Sequence, residues 1–198
     1  NCAYHANVIF GDFENLGAST LVLGVFIFAF QIYGDFSGYS DIAIGSAKLL
    51  GFTLMENFKL PWFSKNVVEF WKRWHISLTT WFKDYLYIPL GGSRGGKYKT
   101  LWNMFIVFAV SGFWHGANWT FILWGAIHGS LLIIERIGGL IGIHLPKILR
   151  HFLVIVIVFL AWVPFRADSI ETTFLIYSAL LNPGWHLPTF SLVIALLG

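Results

Sequence analysis

Apolar residues along this chain come in long uncharged runs rather than in short alternating ones. Leu16 to Tyr33 is apolar apart from Ser19, Thr20 and Gln31 and carries no charge, which is long enough to cross a hydrocarbon core that needs about 20 residues. The next stretch, Gly34-Asp-Phe-Ser-Gly-Tyr-Ser-Asp41, is rich in Gly, Ser and Asp. It predicts irregular backbone that needs protein or water around it at membrane depth, followed by a short buried helix over Ile42 to Phe52. Asn66-Val-Val-Glu69 reads as an N-cap with Glu at the third helical position. The helix it opens carries Trp71, Trp74, His75, Leu78, Trp81, Phe82 and Tyr85 at spacings of three and four. Lys72, Arg73, Thr80, Lys83 and Asp84 fall on the other side, and Ile76 is out of pattern. A basic, aromatic amphipathic helix suits a membrane surface or a groove in the protein. Pro89 through Gly96 is a loop. Leu101 to Ser111 is apolar but too short to span alone, and Gly112-Phe-Trp-His-Gly-Ala-Asn118 interrupts it. Trp119 to Ile134 is apolar again until Glu135-Arg136, and Ile148 to Phe165 is a further spanning candidate. Phe174 to Leu181 is a shorter apolar piece, and Asn182-Pro-Gly184 predicts a turn.

Composition sharpens this picture. Of the 198 residues 57% are hydrophobic and 12% charged, against about 25% charged in an ordinary soluble domain. The mean hydropathy is +0.68. A disordered chain, a nucleic-acid arm and a secreted disulfide scaffold are excluded. Cys2 is the single cysteine, so no intrachain disulfide and no cysteine-based metal site can form. The net charge is only +3, but nine of the 13 Lys and Arg residues lie between Lys48 and Lys99. The positive-inside rule places that stretch at the cytoplasmic face.

His115 is the first candidate for chemistry. A helix entering the membrane at Leu101 carries it roughly 21 Å into a core of about 30 Å. An ionisable group at that depth is a functional-site hypothesis by default. Burial favours the neutral ring, the form a general base needs. Gly112 and Gly116 flank it and permit close backbone approach or a helix break, and Asn118 could share its face. The bland alternative is a core histidine donating to a carbonyl. His75, inside the aromatic stripe, is the second candidate; its alternative is an interfacial His bonded to a headgroup or carbonyl. His128 lies about 220° round from His115 if the helix is continuous, and reads as a polar residue packed between helices. Asp35 and Asp41 could line a polar cavity or pair with a lysine, the pairing being favoured. His5, His144, His151 and His186 fall in loops or at helix ends. The Gly91-Gly-Ser-Arg-Gly-Gly96 loop could hold phosphate through its backbone and Arg94, although a plain basic loop is commoner. No P-loop, nucleophile elbow or zincin motif occurs.

Four ordered blocks carry a resemblance. They are Gln31-Ile-Tyr-Gly-Asp-Phe-Ser-Gly-Tyr-Ser-Asp41, Phe70-Trp-Lys-Arg-Trp-His-Ile-Ser-Leu-Thr-Thr-Trp81, Asp84-Tyr-Leu-Tyr-Ile-Pro-Leu-Gly-Gly92 and Ser111-Gly-Phe-Trp-His-Gly-Ala-Asn-Trp119, with Val163-Pro-Phe-Arg-Ala167 as a fifth match. From about Phe28 to Ala167 the chain resembles the membrane-bound O-acyltransferase family, in its bacterial alginate O-acetylase and D-alanine-transfer branch. Pro-Leu-Gly-Gly after Ile88 leans toward the alginate side. The resemblance implies an all-α, polytopic membrane fold with re-entrant and amphipathic helices. Residues 1–198 then form one membrane domain, the C-terminal part of that fold, with N-terminal helices missing and the last helix, Thr189 to Gly198, cut short.

The same resemblance implies acyl transfer in a bacterial cytoplasmic (inner) membrane. His115 matches the family's essential buried histidine and His75 its second histidine. The donor, an acyl thioester such as acetyl-CoA, arrives from the cytoplasm, and no cofactor or metal is bound. The acceptor is a hydroxyl of an exported polysaccharide such as alginate, reached with an extracytoplasmic partner protein; membrane lipids are the other partner and nucleic acid is not one. His115 would take the hydroxyl proton and His75 orient or polarise a reactant. Asn118 or an indole N–H such as that of Trp114 or Trp74 would face the oxyanion, and Arg73, Arg94, Lys72 and Lys97 would meet donor phosphates. The rival classes are a transporter or channel with a histidine proton relay, a haem protein and a non-catalytic scaffold. They predict pH-dependent flux, visible absorbance and tolerance of histidine loss, respectively.

Overall fold

The computed structural model describes residues 2–140 and 145–181. The turn expected at Asn182, the terminal segment, His144 and His186 lie outside them. The described residues are helical, without strands: α1 (Cys2–Gly11), α2 (Ala18–Leu49), α3 (Val67–Arg73), α4 (Ile76–Phe82), α5 (Gly96–His115), α6 (Trp119–Leu140), α7 (Lys147–Arg166) and α8 (Ile170–Leu181). Three of them, α2, α6 and α7, are long and apolar enough to cross a membrane. Large apolar side chains such as Phe26, Phe152 and Ile134 stand exposed, as lipid-facing positions would.

The stretch expected to be irregular after Tyr33 is helical. α2 runs through Gly34–Asp41 for 32 residues, because each amide there still finds its intrahelical carbonyl and the glycines meet open space rather than a neighbour. His5 likewise sits within a helix, α1, which the hydrophobic pattern does not announce.

α5 and α6 form an antiparallel hairpin packed backbone to backbone. A Cβ on Gly112 would run into the carbonyl of Phe121, and one on Gly125 into the carbonyl of Phe108. Gly112 therefore continues the helix expected to end near Ser111, and the break falls at Gly116 to Asn118. α7 returns beside α6. Trp124 of α6 meets Trp162 and Phe165 of α7 at 5.9 and 5.4 Å between ring centroids. At the other end of the pair Arg150 of α7 donates to the Lys65 carbonyl at 3.3 Å, and Glu135 of α6 accepts from the Val67 amide at 2.7 Å. The basic ends of α5, α6 and α7 thus share one side.

The aromatic stripe after Asn66 is not one helix. α3 and α4 form a V whose tip is His75, in the left-handed region at φ 45°. α3 starts beside Glu135 and reaches inward until Trp71 packs on Trp124 and His128. α4 and a π-helical turn, Lys83–Tyr87, lead back along α5 to the loop where Asn103 bonds the carbonyls of Leu90 and Gly92. The phase slip at Ile76 marks the point of reversal. Asn66 caps α3 by accepting from the Glu69 amide at 2.6 Å, while the Glu69 carboxylate reaches one residue further back than expected, to the Lys65 amide at 2.8 Å. α4 takes its cap from a distant residue: Asn57 Oδ1 accepts from the Ser77 amide and hydroxyl, and the Asn57 carbonyl accepts from the Ile76 amide.

Candidate active site

The V and the hairpin meet at their tips. The Trp114 ring lies 6.4 Å from the ring of His75 and 4.9 Å from that of His115. His115, at the last position of α5, is partly exposed and stands edge-on to Trp124 at 5.1 Å and to Phe165 at 5.1 Å. His75 packs edge-on to Phe36 at 4.5 Å, and its Nδ1 is buried without a hydrogen-bond partner. α5 begins five residues before Leu101, with Lys97 and Lys99 in its first turn, and runs unbroken to His115. Neither ring pairs with a carboxylate among the described residues.

The other sequence candidates are dispersed. Trp74 is buried in an aromatic block with Phe70, Trp62, Phe58 and Trp162, where such pairs contribute about 0.5–1.5 kcal/mol each beyond burial. Asn118 heads α6: it accepts from the Thr120 amide at 3.2 Å and donates to the Asp168 carbonyl at 3.1 Å, so its amide is committed to holding the turn after His115. Arg73 forks onto Glu69 at 2.8 Å and onto the Lys59 carbonyl at 3.0 Å. The Lys65 amide, and then Arg73, hold the Glu69 carboxyl below its usual range. Arg94 is exposed in its loop. The pairing expected for Asp35 and Asp41 is not found among the described residues. Asp41 instead lines a cleft of about 470 Å³ with Ser40, Glu56, Asn57, Lys59 and Arg73. Asn57, in the same lining, accepts from the Ile76 amide at the tip of the V through its carbonyl. Sequence patterning missed Asn57, because it lies in an aperiodic segment and acts across the chain.

His128 is fully buried, with neither ring nitrogen hydrogen-bonded. The premise that placed it opposite His115 on one helix fails, since the break at Gly116–Asn118 separates them. It packs between Trp71 and Trp124, each 4.9 Å away, as expected of a residue wedged between helices. No group of three or more His, Cys, Asp or Glu side chains gathers among the described residues.

The apolar helices and this pair of half-buried imidazoles among aromatic rings define an all-α membrane protein. The family model described as MBOAT, membrane-bound O-acyltransferase family, matches residues 16–140, which contain both histidines and the whole V and hairpin. The chain belongs to the membrane-bound O-acyltransferase family. It is 47% identical over 169 residues to the probable alginate O-acetylase AlgI of Azotobacter vinelandii, covering 83% of this chain and 34% of that protein. It is 40% identical over 176 residues to the peptidoglycan O-acetyltransferase of Helicobacter pylori, covering 87% of this chain and 33% of the relative. The teichoic acid D-alanyltransferase of Streptococcus thermophilus is 38% identical over 121 residues, covering 57% and 29%. The chain therefore spans about a third of the length of the curated relatives it matches.

Proposed function

We propose that the whole protein, of which residues 1–198 supply one C-terminal membrane domain, moves an acetyl group from a cytoplasmic thioester toward hydroxyls of an exported cell-surface polysaccharide. The observation that carries this reading is the convergence of His75 and His115 on one indole, that of Trp114, 6.4 and 4.9 Å away. In a chain of this family, two imidazoles at the meeting point of two re-entering tips supply the groups that acyl transfer needs.

His115 takes the proton from the acceptor hydroxyl. The alkoxide oxygen attacks the thioester carbonyl carbon, the C–S bond breaks as the C–O ester bond forms, and the imidazolium returns its proton to the departing thiolate. Aromatic walls without a carboxylate partner favour the neutral imidazole that this step requires. His75 orients or polarises a reactant. An indole N–H, that of Trp114 or Trp74, faces the developing oxyanion; Asn118 is less suited, because its amide is already bonded to Asp168. Arg94 and Lys97, which form no ion pair among the described residues, suit the phosphates of a donor such as acetyl-CoA better than Lys59 and Arg73, which are paired with Glu56 and Glu69. Exclusion of water from the aromatic interior limits thioester hydrolysis.

Higher identity to the alginate and peptidoglycan O-acetylating relatives than to the D-alanyltransferase supports acetyl over D-alanyl and a polysaccharide acceptor such as alginate. It also supports a bacterial cytoplasmic membrane as the setting. An extracytoplasmic partner protein completes the delivery. The test is mass spectrometry of cell-surface glycans from cells with and without the intact gene. Loss of one O-acetyl mark is expected; an unchanged acetylation pattern overturns the proposal.

A further inference from the structure

A second cleft, lined by neither His75 nor His115, opens at the basic end of α6 and α7. Its volume is about 440 Å³, and Leu131, Ile134, Leu153, Val154 and Ile157 form its apolar wall. Lys65 and Arg150 line it as well. The two are joined, because Arg150 Nε donates to the Lys65 carbonyl. Neither forms an ion pair among the described residues. The one carboxylate in the lining, Glu135, is occupied by the Val67 amide at 2.7 Å. Lys65 and Arg150 outnumber the single carboxylate of the lining, so a rim of net positive charge stands over an apolar slot between two membrane-crossing helices.

Position decides the occupant. The cleft lies at the ends of α6 and α7 that share a side with Lys97 and Lys99 at the start of α5, the level of the headgroups on the cytoplasmic side. At that level a basic pocket between membrane helices meets anionic headgroups, and the apolar slot below it meets acyl chains. A soluble phosphate would use the cations and leave the apolar wall wet. A neutral lipid would fill the slot and leave the cations unpaired. We propose that this cleft binds one anionic phospholipid, its phosphate on Lys65 and Arg150 and an acyl chain along Leu131, Ile134, Leu153 and Ile157. The bound lipid ties the start of α3, which carries Trp71 and leads to His75, to the α6–α7 pair. The site stands apart from the acyl-transfer reading and does not depend on it.

The test uses the full-length protein, reconstituted in nanodiscs of phosphatidylcholine alone or with phosphatidylglycerol, with retained lipid counted by native mass spectrometry. Two variants separate headgroup from chain. Lys65→Gln with Arg150→Gln removes the charge. Gly138→Leu adds a side chain where the glycine lines the cleft and its Cβ would meet open space, so the helix keeps its fold while the slot is filled. Wild-type protein is expected to retain one phosphatidylglycerol in preference to phosphatidylcholine. The double variant should bind it roughly 30-fold more weakly, and Gly138→Leu should retain none. Melting temperature should rise with phosphatidylglycerol in the wild type and in neither variant. Equal retention of both lipids, wild-type retention by either variant, or displacement of the lipid by inorganic phosphate at the same concentration would overturn the proposal.

Discussion

The α5–α6 hairpin delivers His115 by backbone contact, whereas the α3–α4 V delivers His75 by side-chain caps and ring packing. In the hairpin, glycines let one main chain lie on the other, and the break after His115 is held by Asn118. In the V, the reversal sits on a non-glycine residue at positive φ. It is paid for by Asn57 and by the aromatic block around Trp74. Close-packed backbone has no slack, while a capped turn has several separate supports. The two histidines should therefore fail differently when their surroundings are altered.

A large separation of chemistry from structure is expected at the tip of the V. Asparagine tolerates the left-handed region far better than most residues. His75→Asn should thus melt like the wild type and lose acetyl transfer by about 10²-fold or more; retained activity would make the ring dispensable. At the backbone contacts of the hairpin no such separation is available. Gly125→Val drives a branched side chain into the Phe108 carbonyl, a cost of about 1–3 kcal/mol or more, and should lower folded yield and activity together. A stable, active Gly125→Val would break the contrast. Asn57→Ala removes the cap of α4. It should lower stability by about 1 kcal/mol and reduce kcat more than that loss of folded protein explains, since the tip it holds carries His75.

The smallest effect lies at the base of the V. The Glu69 carboxyl is held low first by the Lys65 amide and then by Arg73. A carboxyl lowered on folding stabilises above its unfolded value, and that contribution disappears as pH falls through the lowered one. Because the pair is only partly buried and still screened by solvent, Glu69→Gln should cost only a few tenths of a kcal/mol at pH 7. It should also flatten the acid limb of the melting profile below the usual carboxylate range. An acid limb identical to wild type would show that Glu69 contributes nothing there.

Long periodic runs made much of this architecture legible. The spans at α6 and α7, the cap at Asn66 and the loop before Gly96 follow from apolar length, capping chemistry and glycine content. His115 stood out because an imidazole at its depth is expensive. What escaped depends on partners remote in sequence. Gly34 and Gly38 read as a break, yet they extend a helix. The reversal at His75 was written only as the misplaced Ile76, because its support comes from Asn57, some 20 residues earlier. Asn118 offered an amide three residues from His115, and the fold spends that amide on Asp168, 50 residues away.

Purified full-length protein, labelled acetyl-CoA and a polysaccharide acceptor allow the central claim to be tested at one atom. His115→Ala should melt within a degree or two of the wild type and transfer acetyl 10²- to 10⁴-fold more slowly, the range expected for removal of a general base. Transfer at the wild-type rate by a folded His115→Ala protein would contradict the account.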